Sequence, residues 1–155
     1  MDSLKIYQAE PEHCDTILGL LNPSIQKGLI LPRDKNDILK NINNFFVAEF
    51  DNDYVGCVSI KDYSSGLFEI RSLAVGKNHE GKGVGTLLVL NTVNYIKHHM
   101  KAWRVFALTR RPNVFKGADF KIVNKGMFPE KIWDDCVKCL NINQCDEVAV
   151  QRYIN

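Results

Sequence analysis

Residues 67–90 read LFEIRSLAVGKNHEGKGVGTLLVL, a strand-like apolar pattern that passes through a glycine-rich turn into a helical pattern. Apolar residues alternate with others up to Ile70, and after Ser72 the apolar positions move to Leu73 and Val75. Such a break of alternation is typical of a β-bulge, which adds one residue to one strand of a pair. This stretch therefore predicts a strand, a turn and a helix in direct succession.

Three glycines, Gly81, Gly83 and Gly85, stand within five positions just before the helix. A glycine-rich turn at a helix N-terminus presents backbone N–H groups at the positive end of the helix dipole, which can hold phosphate. The spacing matches neither GxxxxGK[ST] nor GxGxxG. A phosphate or pyrophosphate ligand is therefore one hypothesis, and a flexible turn without a ligand is the alternative that the glycines alone leave open.

The rest of the chain predicts strands that first follow one another and later alternate with helices. Helical spacing places five apolar residues on one helix after the glycines, namely Val89, Leu90, Val93, Ile96 and Met100. The other predicted strands are LKIYQAE, FFVAEF, YVGCVSI, WRVFALT and EVAVQRYI, and the other predicted helices are EHCDTILGLL, DILKNIN, NVFKGA and PEKIWDDCVKCL. Turns are predicted at NPSIQKGLILPRDKND, Asp51-Asn52-Asp53 and Tyr63-Ser64-Ser65-Gly66, and Asp34 is predicted to cap DILKNIN. We predict one α+β or mixed α/β domain over residues 1–155, with a sheet covered on both faces.

Composition narrows the classes of function. The chain has 155 residues with 20 basic and 18 acidic side chains, a balance that provides no broad positive field for nucleic acid. It contains no uninterrupted run of about 18 apolar residues and begins without an apolar signal core, so we expect a cytoplasmic protein without a membrane partner. Five cysteines, an odd number, do not predict a secreted disulfide framework.

The strand and glycine turn together resemble the acyl-CoA motif of the GNAT superfamily of N-acetyltransferases, whose signature is Arg/Gln-x-x-Gly-x-Gly/Ala. In this chain the signature falls on residues 80–85, EGKGVG, with both final glycines and with Glu80 at the first position. The resemblance implies a GNAT-like fold, a central mostly antiparallel sheet of about seven strands flanked by helices, and acetyl-CoA as cosubstrate. A carboxylate beside a pyrophosphate is unfavourable, so we expect the Glu80 side chain to turn outward.

A narrower resemblance covers most of the chain. The segments KGLILPRD, FFVAE, VGCVSI, FEIRSLAV, RVFALT, KIWDDCVKC and CDEVAV look like the acetyltransferase domain of bacterial N-acetylglutamate synthase, in its short form without the amino-acid-kinase domain. The resemblance implies acetylation of the α-amino group of a small amino acid, most directly L-glutamate, as a step of arginine biosynthesis. It implies no metal for the chemistry. The family commonly associates, so a homodimer is one state that the sequence leaves open.

The resemblance also implies roles for individual residues. Glu69 matches the family's strand glutamate and is the candidate general base, because an ammonium must lose a proton before its nitrogen can attack. Thr109 is the candidate donor to the departing thiolate, since Phe115 stands where many relatives carry Tyr. Arg33 matches a substrate-binding arginine that could hold a carboxylate, and Arg71 is a weaker candidate. The implied cofactor contacts are Leu73, Ala74, Val75, Glu80, Gly81, Lys82, Gly83, Val84, Gly85, Thr86 and Phe115.

Other interpretations of these residues remain open. Glu69 could be an exposed strand residue paired with a lysine, and Arg71 and Arg110 could be surface charges. Three cysteines, Cys136, Cys139 and Cys145, form part of a zinc pattern without a fourth ligand at standard spacing, for which Asp146 or His98 could serve. Read otherwise, these are reduced cysteines and no metal is bound. As a whole, the chain could instead acetylate another small amine or a protein N-terminus, or bind CoA as a sensor without catalysis.

Overall fold

The computed structural model describes residues 3–125 and 147–154 of the chain. The elements in these ranges are β1 (Lys5–Gln8), α1 (Cys14–Gln26), α2 (Lys35–Lys40), β2 (Phe45–Phe50), β3 (Asp53–Asp62), β4 (Leu67–Val75), α3 (Val84–His99), β5 (Arg104–Thr109), α4 (Pro112–Lys116), β6 (Lys121–Val123) and β7 (Val148–Tyr153). The predicted helix PEKIWDDCVKCL and the three cysteines of the partial zinc pattern lie outside the described residues. No helix within the described ranges combines the length and apolarity needed to cross a bilayer.

The strands form one sheet in the order β1-β2-β3-β4-β5-β7-β6. Every neighbouring pair is antiparallel except β4 and β5, which are parallel. A parallel pair needs a crossover connection, and α3 provides it between β4 and β5. The mixed, mostly antiparallel sheet of about seven strands is therefore confirmed. The sequence analysis missed β6, a three-residue edge strand too short to show a periodic pattern.

Both predicted hairpin turns are present. Asp51 and Asn52 join β2 to β3 with φ of 51° and 63°, the left-handed backbone that a two-residue turn between twisted strands favours. The second turn closes where the Tyr63 N–H donates to the Leu67 carbonyl oxygen at 3.1 Å. Asp34 caps α2 as predicted, because its Oδ1 accepts from the Asp37 N–H at 2.8 Å.

The break of alternation in β4 is a β-bulge. Between paired residues, β3 advances from Cys57 to Ser59 while β4 runs from Ala74 back to Arg71, so β4 contains one extra residue. Within this interval Ser72 adopts a φ of 53°, in the left-handed region. The extra residue shifts the alternation of β4 by one position. After the bulge, odd-numbered side chains therefore lie on the face that even-numbered side chains occupy before it.

Helices cover both faces of the sheet, as expected from the sequence. On one face α3 packs over a first core, which includes Phe68, Ile70, Leu88, Val93, Val105 and Ala107. On the other face α1 and α2 pack over a second core that includes Ile17, Leu21, Ile38, Phe45 and Val47. The bulged strand β4 contributes to both cores, because Leu73 and Val75 pack against the first and Ala74 belongs to the second.

The prediction that α1 ends near Pro23 was wrong. The helix continues to Gln26, although Pro23 lacks an N–H, because Ile25 packs against the second core. Gly28, with a φ of 71°, provides the left-handed residue that ends the helix. A tertiary contact therefore accompanies the continuation of the helix past Pro23, and a local glycine ends it.

The predicted apolar face of α3 also needs one correction. Val89, Val93 and Ile96 are buried as predicted, but Leu90 is 37% exposed. The buried position is Leu88, whose Cδ1 lies 2.8 Å from the point that a Cβ on Gly56 would occupy. Four consecutive apolar residues, LLVL, cannot all face the sheet, and hydropathy alone does not choose between them.

Gly56 allows this close approach of β3 and α3, and we expect Gly56→Ala to lower the free energy of unfolding by about 1–3 kcal/mol. An added Cβ would stand 2.8 Å from Leu88 Cδ1 and 3.1 Å from the Ala74 carbonyl oxygen, which the sheet holds in place. Urea unfolding followed by circular dichroism measures the change. The matched control is Gly19→Ala in α1, where a Cβ meets nothing within 4 Å and should raise stability by about 0.5–1 kcal/mol. Equal effects of the two substitutions would contradict the packing argument.

Candidate active site

The glycine turn between β4 and α3 has the backbone of an anion cradle. Gly81 and Gly83 have φ of 77° and 87°, and Gly83 is the N-cap of α3. No side chain caps this helix start, so its first N–H groups are not bound by a capping side chain. A Cβ on Gly81 or Gly83 would meet nothing within 4 Å, so the backbone conformation, rather than crowding by protein, requires glycine at both positions.

Gly85 serves a different purpose from the other two glycines. A Cβ there would stand 3.2 Å from Val114 Cγ1 on α4. The neighbouring Thr86 donates its hydroxyl to the Val114 carbonyl oxygen at 3.0 Å, and Gly117 lies close to the Thr86 methyl group. Gly85 therefore allows α4 to dock against the first turn of α3.

The first position of the motif carries a paired carboxylate. Glu80 Oε1 lies 3.5 Å from Nη2 of Arg111, the residue that precedes α4. Both side chains are well exposed, at 43% and 67%. Lys82, also in the turn, is exposed. The turn thus combines uncapped N–H groups with an exposed ion pair at its edge.

The strands β4 and β5 pair over only part of their length. Registered pairs run from Leu67 with Arg104 to Glu69 with Phe106, and among the described residues the strands continue beyond them without further registered pairs. The predicted cofactor contacts on β4, Leu73, Ala74 and Val75, lie beyond that last pair, between Glu69 and the glycine turn. Ala74 is buried in the second core, and Leu73 and Val75 are partly buried against the first.

Glu69 is a buried carboxylate at the last registered pair. Its side chain is 2% exposed, Tyr63 Oη donates to its Oε1 at 2.9 Å, and Arg71 Nη1 lies 3.9 Å away. Lys61 is its cross-strand neighbour on β3. The interpretation of Glu69 as an exposed strand residue is therefore wrong. Its predicted catalytic role stays a prediction.

A pocket of about 740 Å³ opens on the face covered by α1 and α2, and two neighbours of Glu69, Lys61 and Arg71, are among its lining residues. Three basic and two acidic side chains line it: Arg33, Lys61, Arg71, Asp37 and Asp62. Asn41 and Asn44 add amide groups. The structure thus brings together the two arginines that the sequence analysis assigned to substrate binding. Such a lining suits a small zwitterion with additional negative charge.

Several contacts hold the Arg33 guanidinium in one orientation. Its Nε donates to Asp37 Oδ2 at 2.6 Å and its Nη1 donates to Ser72 Oγ at 2.7 Å. The guanidinium carbon also lies 5.0 Å from the centroid of the Phe45 ring. Within residues 3–125 and 147–154, Nη2 has no hydrogen bond, so this end of the side chain can bind a ligand carboxylate. The bulge residue Ser72 therefore connects strand β4 to the pocket.

The remaining predicted residues lie outside this pocket. Thr109 Oγ1 accepts from the Arg111 N–H at 2.8 Å, which leaves the hydroxyl proton of Thr109 available for donation. Phe115 is 3% exposed and packs edge-on against Phe120, with centroids 5.3 Å apart, so its ring is part of the core. Its predicted contact with the cofactor stays a prediction. Arg110 donates to the Leu29 carbonyl oxygen and pairs with Glu147.

Sequence reasoning missed four residues that organise the site: Asp37, Tyr63, Ser72 and Arg111. The spacing of four residues between Arg33 and Asp37 is a helical ion-pair signal that could have revealed Asp37. The break of alternation already located Ser72, though not its bond to Arg33. Tyr63 and Arg111 have no local signal, because their partners come from other elements. In the part of the chain described, no group of three His, Cys, Asp or Glu residues could hold a metal ion.

Comparison with known proteins finds relatives of this chain. The model of the acetyltransferase (GNAT) family matches residues 15–116. An uncharacterized N-acetyltransferase of Chlorobaculum tepidum is 38% identical over 126 residues, which cover 81% of each chain. An amino-acid acetyltransferase of Buchnera aphidicola is 24% identical over 148 residues, which cover 94% of this chain and 32% of that protein.

Solved structures share the fold. The N-acetylglutamate synthase of Neisseria gonorrhoeae, complexed with coenzyme A and N-acetyl-glutamate, matches 98% of this chain with a TM-score of 0.81 and 22% identity. This chain covers 35% of that protein, so it corresponds to about a third of the synthase. A Mycobacterium tuberculosis protein in complex with CoA matches 97% of this chain and 99% of its own, with a TM-score of 0.78 and 19% identity.

Burial protects the thiol that lies beneath the bulge, and this leads to a prediction about its reactivity. Cys57 is buried, its Sγ lies 3.6 Å from the Ser72 carbonyl oxygen, and burial raises its pKa from 9.0 to about 12. Because the thiolate is the reactive form, we expect iodoacetamide to label Cys57 slowly in the folded protein between about pH 7 and about pH 10. Labelling in urea should be fast, and peptide mass spectrometry measures both.

The same shift predicts a direction for stability. The folded state keeps the Cys57 proton that the unfolded state loses, so this contribution is complete below pH 9.0 and is lost as the pH rises toward about 12. Rapid labelling of Cys57 in the folded protein near neutral pH would show that the site beneath the bulge is open.

Proposed function

The chain belongs to the acetyltransferase (GNAT) family, and we propose that it transfers an acetyl group from acetyl-CoA to the α-amino group of an amino acid. L-glutamate is the acceptor that we propose first. One observation carries the proposal: a pocket is lined by Arg33, Lys61 and Arg71, and the last two of these are neighbours of the buried carboxylate of Glu69. The strand that carries Glu69 leads to the glycine turn, so the same strand serves both halves of the site.

The residues present fit the phosphate part of acetyl-CoA. The uncapped start of α3 offers backbone N–H groups, and left-handed Gly81 and Gly83 leave no side chain in front of them. Backbone N–H groups of β4 beyond the last pair with β5 fit the pantetheine arm. Bound acetyl-CoA supplies the acetyl thioester. The solved relatives that contain CoA support this assignment.

The acceptor pocket favours a dicarboxylic amino acid. The Arg33 guanidinium is already oriented by Asp37 and Ser72, so little freedom is lost when its Nη2 edge binds a carboxylate. Arg71 and Lys61 add positive charge on the neighbouring strands, opposite the acidic Asp62. Two carboxylates and one amine can therefore meet complementary partners in one pocket. The amino-acid acetyltransferases among the relatives support an amino-acid acceptor.

Acetyl transfer requires a base for the acceptor ammonium and hydrogen-bond donors for the oxyanion and the departing thiolate. Glu69 would accept the proton of the acceptor ammonium, directly or through a water molecule, while Tyr63 and Arg71 hold its carboxylate. A backbone N–H of Leu73, Ala74 or Val75 would donate to the developing oxyanion. Thr109 would donate its hydroxyl proton to the departing thiolate, although a thiol with a pKa of about 8.5 can also leave as the anion.

We expect Glu69→Gln to lower kcat by about 100-fold or more, because the amide is nearly isosteric but cannot accept the ammonium proton. CoA release from acetyl-CoA, followed with a thiol reagent across the twenty amino acids, measures the rate. Glu12→Gln, an exposed substitution on the 3-10 turn Pro11–His13, is the matched control and should leave kcat unchanged. Unchanged turnover in Glu69→Gln would remove Glu69 as the base. CoA binding without turnover on any amine would favour a sensor domain.

We expect Arg33→Ala to raise the KM for glutamate by about tenfold to 100-fold with a much smaller change in kcat, since a charge-assisted carboxylate contact is lost. Arg33→Lys keeps the charge but loses the planar donor edge, and should give an intermediate KM. Lys40→Ala, at the exposed end of α2, removes the same charge outside the pocket and serves as control.

Initial rates over a range of glutamate, aspartate and glutamine concentrations provide these values. If Arg33→Ala changed the KM of glutamine as much as that of glutamate, Arg33 would bind the α-carboxylate that both share. If the KM of every acceptor stayed the same, the pocket would not be the acceptor site.

A further inference from the structure

The ion pair at the edge of the glycine turn has an unusual position. Glu80 directly precedes Gly81, and its Oε1 lies 3.5 Å from Arg111 Nη2. Glu80 stands three residues before Gly83, the N-cap of α3, and the positive end of the helix dipole there favours an anion. Two like charges at short range repel one another even in water. Glu80 alone would therefore oppose binding of a polyphosphate.

The position of Arg111 is fixed by packing rather than by the ion pair. Its backbone N–H donates to Thr109 Oγ1 at 2.8 Å, and the helix that follows it docks on the first turn of α3 through Val114. The Thr86 hydroxyl bonds the Val114 carbonyl oxygen at 3.0 Å. These contacts keep the base of the Arg111 side chain beside the turn whichever partner its guanidinium binds.

The Arg111 side chain itself is free to exchange partners. It is 67% exposed, and an exposed ion pair of this kind contributes little to stability. A guanidinium binds phosphate oxygens bidentately and more strongly than a single carboxylate contact at 3.5 Å. The exchange is therefore favourable when a polyphosphate lies on the turn.

We propose that Arg111 is a phosphate-binding residue of the cofactor site, paired with Glu80 in the free protein and with the CoA pyrophosphate in the complex. Arg111 would supply, from the segment before α4, the positive charge that Glu80 does not provide at the first motif position. Glu80 would then act as a counter-charge that holds Arg111 near the turn and weakens binding of the cofactor. The inference rests on the cofactor half of the proposed function and is independent of the acceptor.

Binding of CoA to the full chain, measured by isothermal titration calorimetry without any acceptor, tests the inference. Four proteins form a double-mutant cycle: the unaltered chain, Glu80→Gln, Arg111→Gln and the double variant. We expect Arg111→Gln to raise the Kd at least about tenfold and Glu80→Gln to lower it by up to about fivefold. Lys101→Gln, which removes one exposed positive charge after α3, is the matched control and should leave the Kd unchanged.

The double variant separates a phosphate contact from simple shielding. If Arg111 binds phosphate, Arg111→Gln should raise the Kd in the Glu80→Gln background at least as much as in the unaltered chain, because no pair has to be broken there. If Arg111 only neutralises Glu80, the effect disappears in that background and the proposal fails. Circular dichroism should show equal unfolding midpoints for all four proteins, since the exposed pair adds little stability.

Shortened ligands identify the phosphate. The effect of Arg111→Gln should persist with dephospho-CoA, which lacks the 3′-phosphate, and should vanish with pantetheine, which has no phosphate. Loss of the effect with dephospho-CoA would assign Arg111 to the 3′-phosphate and overturn the pyrophosphate contact. If the unaltered chain binds no CoA, this inference and the proposed cofactor both fail. Normal CoA binding that is insensitive to Arg111→Gln removes this inference alone.

Discussion

The β-bulge at Ser72 is the constraint on which the site depends. With one extra residue in β4, Glu69 and Arg71 lie toward the pocket side, while Leu73 and Val75 turn toward the core under α3. Without the bulge, strict alternation would put Leu73 on the same face as Glu69. The left-handed backbone of Ser72 also presents its hydroxyl to Arg33 at 2.7 Å. A single local irregularity thus connects the proposed acceptor pocket, the proposed base Glu69 and the strand that leads to the glycine turn.

The parallel pairing of β4 and β5 has a related consequence. The two strands are registered only as far as Glu69 and Phe106, and each then continues toward a segment of the proposed cofactor site. β4 leads into the glycine turn, and β5 leads through Thr109 to Arg111. Close contacts between α3 and α4, which Gly85 allows, bring the glycine turn and the segment around Arg111 together. The three glycines of the motif are therefore needed for two different reasons. Gly81 and Gly83 adopt a left-handed backbone, and Gly85 allows close packing of α4.

Features that depend on a few neighbouring residues could be predicted from the sequence. The turn at Asp51 and Asn52, the Asp34 cap and the break at Ser72 follow from local chemistry or from a period of two. The end of α1 beyond Pro23 and the choice of Leu88 over Leu90 could not be predicted, because tertiary packing decides them.

The same distinction applies to the candidate site. Family resemblance placed Arg33 and Arg71, and the structure brings them together in one pocket. The hydrogen bond from Tyr63 to Glu69 and the pairing of Arg111 with Glu80 join elements whose relative positions no spacing rule provides. Burial of Glu69 was likewise invisible to a pattern that expects charged residues at the surface.

Burial also decides how each of the two arginine ion pairs can work. Arg33 is 11% exposed and bound to both Asp37 and Ser72, so its guanidinium is oriented before a ligand arrives and would lose little freedom on binding. Arg111 is 67% exposed and has a single carboxylate partner at 3.5 Å. Because water screens this ion pair, little free energy is lost when another anion replaces the carboxylate. A fixed cation suits discrimination among small acceptors, whose carboxylates must meet a set geometry. An exchangeable cation suits a flexible polyphosphate, whose charge is large and whose recognition depends less on the angle of approach.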